Sequence, residues 1–258
     1  MLYRIRTGRS VKPLTILLLT LVLSATGVEA AEVKLAIAAN FTDVARILAE
    51  RFEQQTGHTT RISYGSTGKL YSQIEHGAPF EVFLAADRAR PEKAQDEGLA
   101  VSGSDFVYAR GKLVLWSLRE SLFTEGESYL KRSDFRHLAL ANPKTAPYGL
   151  AAQEVMQHLG VMKSIRPRLV KGDSIAQTFQ FVATGNADAG FVALAQIKAW
   201  QGESGTLWEI PESYYAPIDQ AAVLLNKGQD NPAAHAFLDF LKSEEAKQLI
   251  QAYGYGVE

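Results

Sequence analysis

Ile37-Ala38-Ala39-Asn40-Phe41-Thr42 and Ser63-Tyr64-Gly65-Ser66-Thr67-Gly68-Lys69-Leu70 decide how this chain reads. Each is a strand that stops at a small or uncharged polar residue and passes directly into an amphipathic helix. Such a junction aims several unpaired backbone N–H groups, and the positive end of a helix dipole, at one spot. An anion can be held there without any cationic side chain.

The same grammar extends outward on both sides. Val33–Ala38 reads as a strand, and Phe41, Val44, Leu48 and Phe52 then share one helical face that stops at Thr56-Gly57. Thr60–Ser63 is a strand, followed by a helix through Leu70 and Ile74 to Gly77. Glu81–Ala85 is a strand, and Pro91–Glu97 a helix closed by Gly98. Further on, Lys112–Ser117, Leu138–Ala141, Leu169–Lys171, Ala189–Ala193 and Ala222–Leu225 read as strands. Tyr148 to Leu159 and Ser174 to Gly185 read as helices, and a pair of helices from Pro232 to Tyr253 closes the chain. Repeated β-α-β units predict an α/β fold with mostly parallel sheets flanked by helices. Two such series and a late strand able to rejoin the first predict two lobes. Residues 31–110 plus 220–258 form lobe I and residues 111–219 form lobe II, with crossings near Tyr108–Lys112 and Ile218–Ala222. Ligands of such folds sit where strand ends and helix starts face a crevice.

Four strand-to-helix turns stand out: Ala39-Asn40, Ser66-Thr67, Pro147-Tyr148 and Ser174-Ile175. Asn40 has the chemistry of an N-cap, with Asp43 three residues on. Gly65 and Gly68 bracket Ser66-Thr67, which lets the backbone approach a guest. Pro147 suits a first helical turn. One capped helix start is only what a helix needs, but four split between two lobes point to a tetrahedral oxyanion. Backbone N–H groups and uncharged side chains donate without a titratable proton, so such a cradle is insensitive to pH near neutrality and rejects an anion that still carries a proton. Lys69 is the one nearby cation, and its place on the helix predicts that it points to solvent.

The ends and the composition set the context. Arg4, Arg6, Arg9 and Lys12 precede an uncharged apolar run from Leu14 to Leu23, and Val28-Glu29-Ala30 supplies a small-x-Ala site. Residues 1–30 therefore read as a signal peptide cleaved after Ala30, an uncleaved anchor being the alternative. They hold four of the 27 basic residues and one of the 28 acidic ones, which leaves 23 and 27 and a formal charge of −4. That balance argues against nucleic acid or an anionic membrane as partner. With no cysteine there is no disulfide framework and no thiol chemistry.

Several motifs fail. A phosphate loop ending at Gly68-Lys69 needs glycine where Ser63 stands and a hydroxyl where Leu70 stands. There is no G-x-S-x-G elbow. His58, His76, His137, His158 and His235 lack metal-ligand spacing and read as surface residues. Trp116, Trp200, Trp208, Tyr214 and Tyr215 read as packing rather than a sugar platform.

As an ordered set, Ala38-Ala39-Asn40-Phe41-Thr42, Tyr64-Gly65-Ser66-Thr67-Gly68, Gln73-Ile74-Glu75-His76-Gly77-Ala78-Pro79 and Val82-Phe83-Leu84-Ala85-Ala86-Asp87 carry a family resemblance. Asn142-Pro143, Ala146-Pro147-Tyr148-Gly149-Leu150-Ala151, Gly185 to Val192 and Tyr253-Gly254-Tyr255 extend it over nearly all of residues 31–258. The chain resembles the periplasmic molybdate-binding proteins of ABC importers, among the two-lobed bacterial solute-binding proteins (type II). The resemblance implies a non-enzymatic, periplasmic monomer that captures molybdate, and tungstate with it, and hands it to a membrane permease. It implies no cofactor, and molybdenum or tungsten present only as the bound oxyanion. The implied ligand residues are Ala39, Asn40, Thr67, Tyr148 and Ile175: backbone N–H with a side-chain amide at the first turn, N–H and hydroxyl at Thr67, and N–H at Tyr148 and Ile175. Ala193 stands where one branch of the family has tyrosine, and Tyr148 is placed to supply that hydroxyl from another direction. The alternatives are sulfate, phosphate, a ferric ion or an organic acid as the solute, with Tyr214-Tyr215 a faint ferric signal, or an exported enzyme acting on phosphorylated compounds.

Overall fold

The computed structural model describes residue 1 and residues 30–257, so the leader expected over residues 1–30 lies almost wholly outside the described residues. The chain starts with β1 (Glu32–Ala38), α1 (Thr42–Thr56), β2 (Thr59–Gly65), α2 (Thr67–Glu75), β3 (Val82–Leu84), α3 (Ala89–Asp96) and β4 (Phe106–Gly111). It then crosses at once into β5 (Leu113–Ser117), α4 (Gly126–Arg132), β6 (Leu138–Ala141), α5 (Pro147–His158), α6 (Met162–Ile165) and β7 (Leu169–Gly172). After α7 (Ile175–Ala183), β8 (Ala189–Ala193), α8 (Leu194–Ala199) and β9 (Thr206–Glu209), it returns through β10 (Ile218–Leu224) and ends with α9 (Pro232–Leu241) and α10 (Glu244–Ala252).

Two five-stranded sheets result, in the orders β2-β1-β3-β10-β4 and β7-β6-β8-β5-β9. In each, a parallel trio meets one reversed strand, β10 in the first sheet and β5 in the second. The reversed strands are the two that arrive from the other lobe. The parallel strands deliver their C-terminal ends to the cleft, so a strand that starts at the cleft must run the other way. The sheets are thus mixed rather than purely parallel.

Each sheet is covered on both faces, and the alternation of side chains assigns the faces. Val33, Leu35 and Ile37 face a cluster with Phe41, Leu48 and Phe52 of the first helical segment and Phe237 and Leu241 of α9. Ala36 faces the opposite way, onto Leu70, Tyr71 and Ile74 of α2. In the second lobe Leu113 and Leu115 face α5, while Val114 and Trp116 pack on Phe179 and Val182 of α7. A fully buried apolar side chain of this size contributes ~1.5–3 kcal/mol. Gly57 ends α1 at φ 74°, its N–H donating to the carbonyl of Glu53, a conformation that suits glycine.

The structure adds elements that the pattern did not announce. β4 occupies a stretch whose sequence signals only a crossing, and β9 is an edge strand whose residues alternate between half-buried and exposed. α4 starts on Gly126, where a Cβ would lie 2.2 Å from Trp208 Cε3, so its position is set by a ring distant in sequence. His58 is buried, not at the surface: its Nδ1 accepts from the N–H of Ala31 and its ring stacks on Phe52. His76, His137, His158 and His235 are exposed.

Candidate functional site

β1, β2, β6 and β7 all end at the cleft between the sheets, and each is followed by one of the four turns. Residues of all four turns line one small cavity: Ala39, Asn40, Ser66, Thr67, Tyr148 and Ile175 stand around it, closed in by Ala38, Gly65, Ala86, Ala146 and Pro147. Its volume is about 10 Å³, roughly the room one water-sized sphere needs. No lining residue is charged.

At the first turn the structure corrects the expected capping. Residues Ala39–Phe41 form a 3-10 turn, Phe41 precedes α1, and no side chain caps that helix. Asn40 is 4% exposed and points its amide into the protein, donating to Gln220 Oε1 at 2.9 Å and to the Tyr255 hydroxyl at 3.1 Å. Asp43 instead pairs with Arg46 on the surface. Both amide protons of Asn40 are therefore engaged, and what it presents to the cavity is backbone.

Thr67 is the first residue of α2 and 1% exposed; its Oγ1 accepts from the N–H of Ala86 at 3.1 Å, leaving its own proton to donate. Ser66, which the sequence reading did not select as a ligand, precedes the helix at the N-cap position without capping it. Its Oγ is buried and has no hydrogen-bond partner. A buried hydroxyl without a partner costs ~1–3 kcal/mol unless something satisfies it. The sequence signal was available, since Ser66 lies between Gly65 and Thr67, but a serine before a helix reads first as a cap.

In lobe II, Pro147 opens α5 and Tyr148 follows. Gly149 allows the helix to dock, for a Cβ there would lie 2.2 Å from the carbonyl oxygen of Ala141. Ser174 is a true N-cap, accepting from the N–H of Gln177 at 3.3 Å, and Ile175 begins α7. As leading residues of their helices, Thr67, Tyr148 and Ile175 have N–H groups without an intrahelical acceptor. Ala193 sits at the end of β8, donates its N–H to Gln196 Oε1 and is absent from the cavity lining. The Tyr148 hydroxyl, expected to fill its place, accepts from Gln220 Nε2 at 3.2 Å.

The lobes touch around the cavity. The Gly68 N–H donates to the carbonyl of Thr145 at 2.8 Å, and Lys69 bridges to Asp173 at 2.8 Å, so Lys69 is a cross-cleft partner rather than a free surface charge. Arg90, paired with Asp87, also reaches the carbonyl of Lys144. Burial pushes the hydroxyls of Tyr108, Tyr148 and Tyr255 well above their ordinary range and keeps them neutral. Tyr214 and Tyr215 lie elsewhere: Tyr214 donates to Glu127 and stacks on His158, and Tyr215 accepts from the N–H of Leu113. Among the described residues, no cluster of His, Cys, Asp and Glu is placed to hold a metal ion.

Residues 33–256 match the family model described as bacterial extracellular solute-binding protein. The chain belongs to that family. It is 52% identical over 237 residues to the molybdate-binding protein ModA of Azotobacter vinelandii, covering 92% of this chain and 94% of the relative. It is also 52% identical over 229 residues to ModA of Rhodobacter capsulatus, covering 89% and 90%. A solved structure of the Azotobacter vinelandii periplasmic molybdate-binding protein superposes with a TM-score of 0.84, at 41% identity over 88% of this chain and 99% of that one. As a family member the chain is a solute-binding protein, and the cavity at the lobe seam is its candidate solute site.

Proposed function

We propose that this solute-binding protein captures molybdate, and tungstate with it, in the periplasm and delivers it to the permease of an ABC importer. The observation that carries the reading is an uncharged cavity to which both lobes contribute helix starts, Asn40, Ser66 and Thr67 from one side and Tyr148 and Ile175 from the other. Lobe I comprises residues 31–110 and 220–258 and lobe II residues 111–219. The resemblance of the chain to two molybdate-binding proteins at 52% identity supports molybdate over other oxyanions.

In this reading the dianion is held by dipoles and hydrogen bonds. Backbone N–H groups at Asn40, Thr67, Tyr148 and Ile175 and the hydroxyls of Ser66 and Thr67 surround it. Donors from two lobes meet one ion only when the cleft is shut, so binding favours the closed form that the permease recognises. N–H groups donate only and cannot accept the hydrogen bond of a P–OH group, which disfavours protonated phosphate. An organic acid calls for a guanidinium fork, which the lining lacks.

Isothermal titration of the mature chain with molybdate, tungstate, sulfate and phosphate tests this. Tight binding of the first two and weak or no binding of the others is expected. No heat with molybdate and tungstate sinks the reading.

A further inference from the structure

We propose that Gln220, which sequence reading passed over and which does not line the cavity, is a positioning residue that ties the oxyanion donors of both lobes to one crossing strand. The inference rests on the oxyanion reading above.

Gln220 is fully buried on β10, the strand that brings the chain back from the second sheet to the first. Its Oε1 accepts from Asn40 Nδ2 at 2.9 Å and from the Tyr108 hydroxyl at 3.1 Å, and its Nε2 donates to the Tyr148 hydroxyl at 3.2 Å. The acceptor end of one amide thus holds lobe I, and the donor end holds lobe II. Asn40 is clasped from the other side by Tyr255, whose hydroxyl accepts from Nδ2 and donates to the Asn40 carbonyl at 2.8 Å. The turn carrying the Asn40 N–H is therefore fixed by groups that never touch the guest.

Two backbone features show that the site is built for this contact. The β4–β10 ladder shifts register between Gln220 and Ala221: Gln220 faces Ala109 and Ala221 faces Val107, which leaves Tyr108 as the extra residue. Such a bulge re-aims a side chain, and here the hydroxyl of Tyr108 reaches Gln220. At the crossing itself, a Cβ on Gly111 would lie 2.1 Å from the Tyr148 hydroxyl and 2.8 Å from Gln220 Nε2. The glycine leaves the space in which lobe II is fastened. In a closure about the crossing segments, a side chain at the crossing is placed to touch both donor sets. Glutamine can accept and donate at once, which glutamate and methionine cannot.

The test is titration of wild type, Gln220→Met, Tyr148→Phe and the double variant with sodium molybdate, together with melting of each with and without the anion. Gln220→Met is expected to fold and to lose roughly 10- to 100-fold in affinity. Its molybdate-induced rise in Tm shrinks accordingly. Tyr148→Phe keeps its backbone N–H yet loses affinity too, and the double variant is little worse than Gln220→Met, because both remove the same bond. Affinity of Gln220→Met within twofold of wild type, losses that multiply in the double variant, or a lower apo Tm with an unchanged molybdate increment would overturn the inference. If Gln220→Met does not fold, a Tyr108→Phe/Tyr148→Phe cycle replaces it: non-multiplying losses support the joint and multiplying losses refute it. A wild type that ignores molybdate refutes the oxyanion reading itself, whereas a wild type that binds beside an unimpaired Gln220→Met refutes only the joint.

Discussion

Ser66 and Thr67 divide one junction between two tasks. Thr67 spends its acceptor capacity inside the protein, on the N–H of Ala86, and keeps a proton for the cavity. Ser66 spends nothing: its hydroxyl is buried beside the cavity and unmatched by any protein group. A hydrogen bond to a charged guest is stronger than one between neutral groups. Ser66→Ala is therefore expected to weaken molybdate binding about tenfold or more while leaving the apo melting temperature almost unchanged. Calorimetric titration and a thermal melt of the same preparation check it, and a lowered apo Tm with full affinity would reassign Ser66 to a purely structural role.

Among elements, the helix starts are not equivalent. α7 and α10 are each preceded by a serine whose Oγ accepts from the backbone N–H three residues on, Ser174 from Gln177 and Ser243 from Ala246. Loss of either cap costs ~1 kcal/mol of stability. Only α7 points at the cavity, so Ser174→Ala should lower both Tm and molybdate affinity, and Ser243→Ala only Tm. Equal affinity losses in the two variants would show that helix starts do not act locally on the guest. α5 gains its rigidity differently, from Pro147 at its first position and from Gly149 packed against the end of β6.

For the whole molecule, closure and protonation are the variables. Gly68 lies at the seam, where an added Cβ would stand 3.0 Å from Thr145 Cα and 3.1 Å from its carbonyl oxygen, both backbone atoms. Alanine favours a helix over glycine by up to ~1 kcal/mol, so Gly68→Ala is expected to keep or raise apo stability yet reduce molybdate affinity severalfold. Small-angle scattering with and without the anion would show a less complete contraction, and a wild-type contraction would contradict it. The Lys69–Asp173 bridge at the rim is exposed and adds little. For the three buried tyrosines protonation enters only in alkali. Burial raises the pKa of Tyr108, Tyr148 and Tyr255 above the ordinary 10.0 in the folded chain. The unfolded chain gives up those protons first, so their contribution is whole below pH 10 and fades as pH climbs past it. Molybdate affinity should be flat from about pH 6 to 9, since the cavity offers no group that titrates there. A tenfold change across that range would reveal a titrating group in the site.

Local pattern carried much of this protein. The apolar period of Phe41, Val44, Leu48 and Phe52, the glycine stops and the strand runs are statements about neighbours in the chain, and strands and helices obey neighbours. The four cleft turns were legible for the same reason, because a helix start is marked by its own residues. Tertiary structure alone decided the rest. It engaged the Asn40 amide with Gln220 and Tyr255, 180 and 215 residues away, seated the Tyr148 hydroxyl at the crossing, left Ser66 without a partner and bridged Lys69 to Asp173. Those outcomes depend on which groups closure brings together and which it deprives of water, and no local pattern in the chain encodes either.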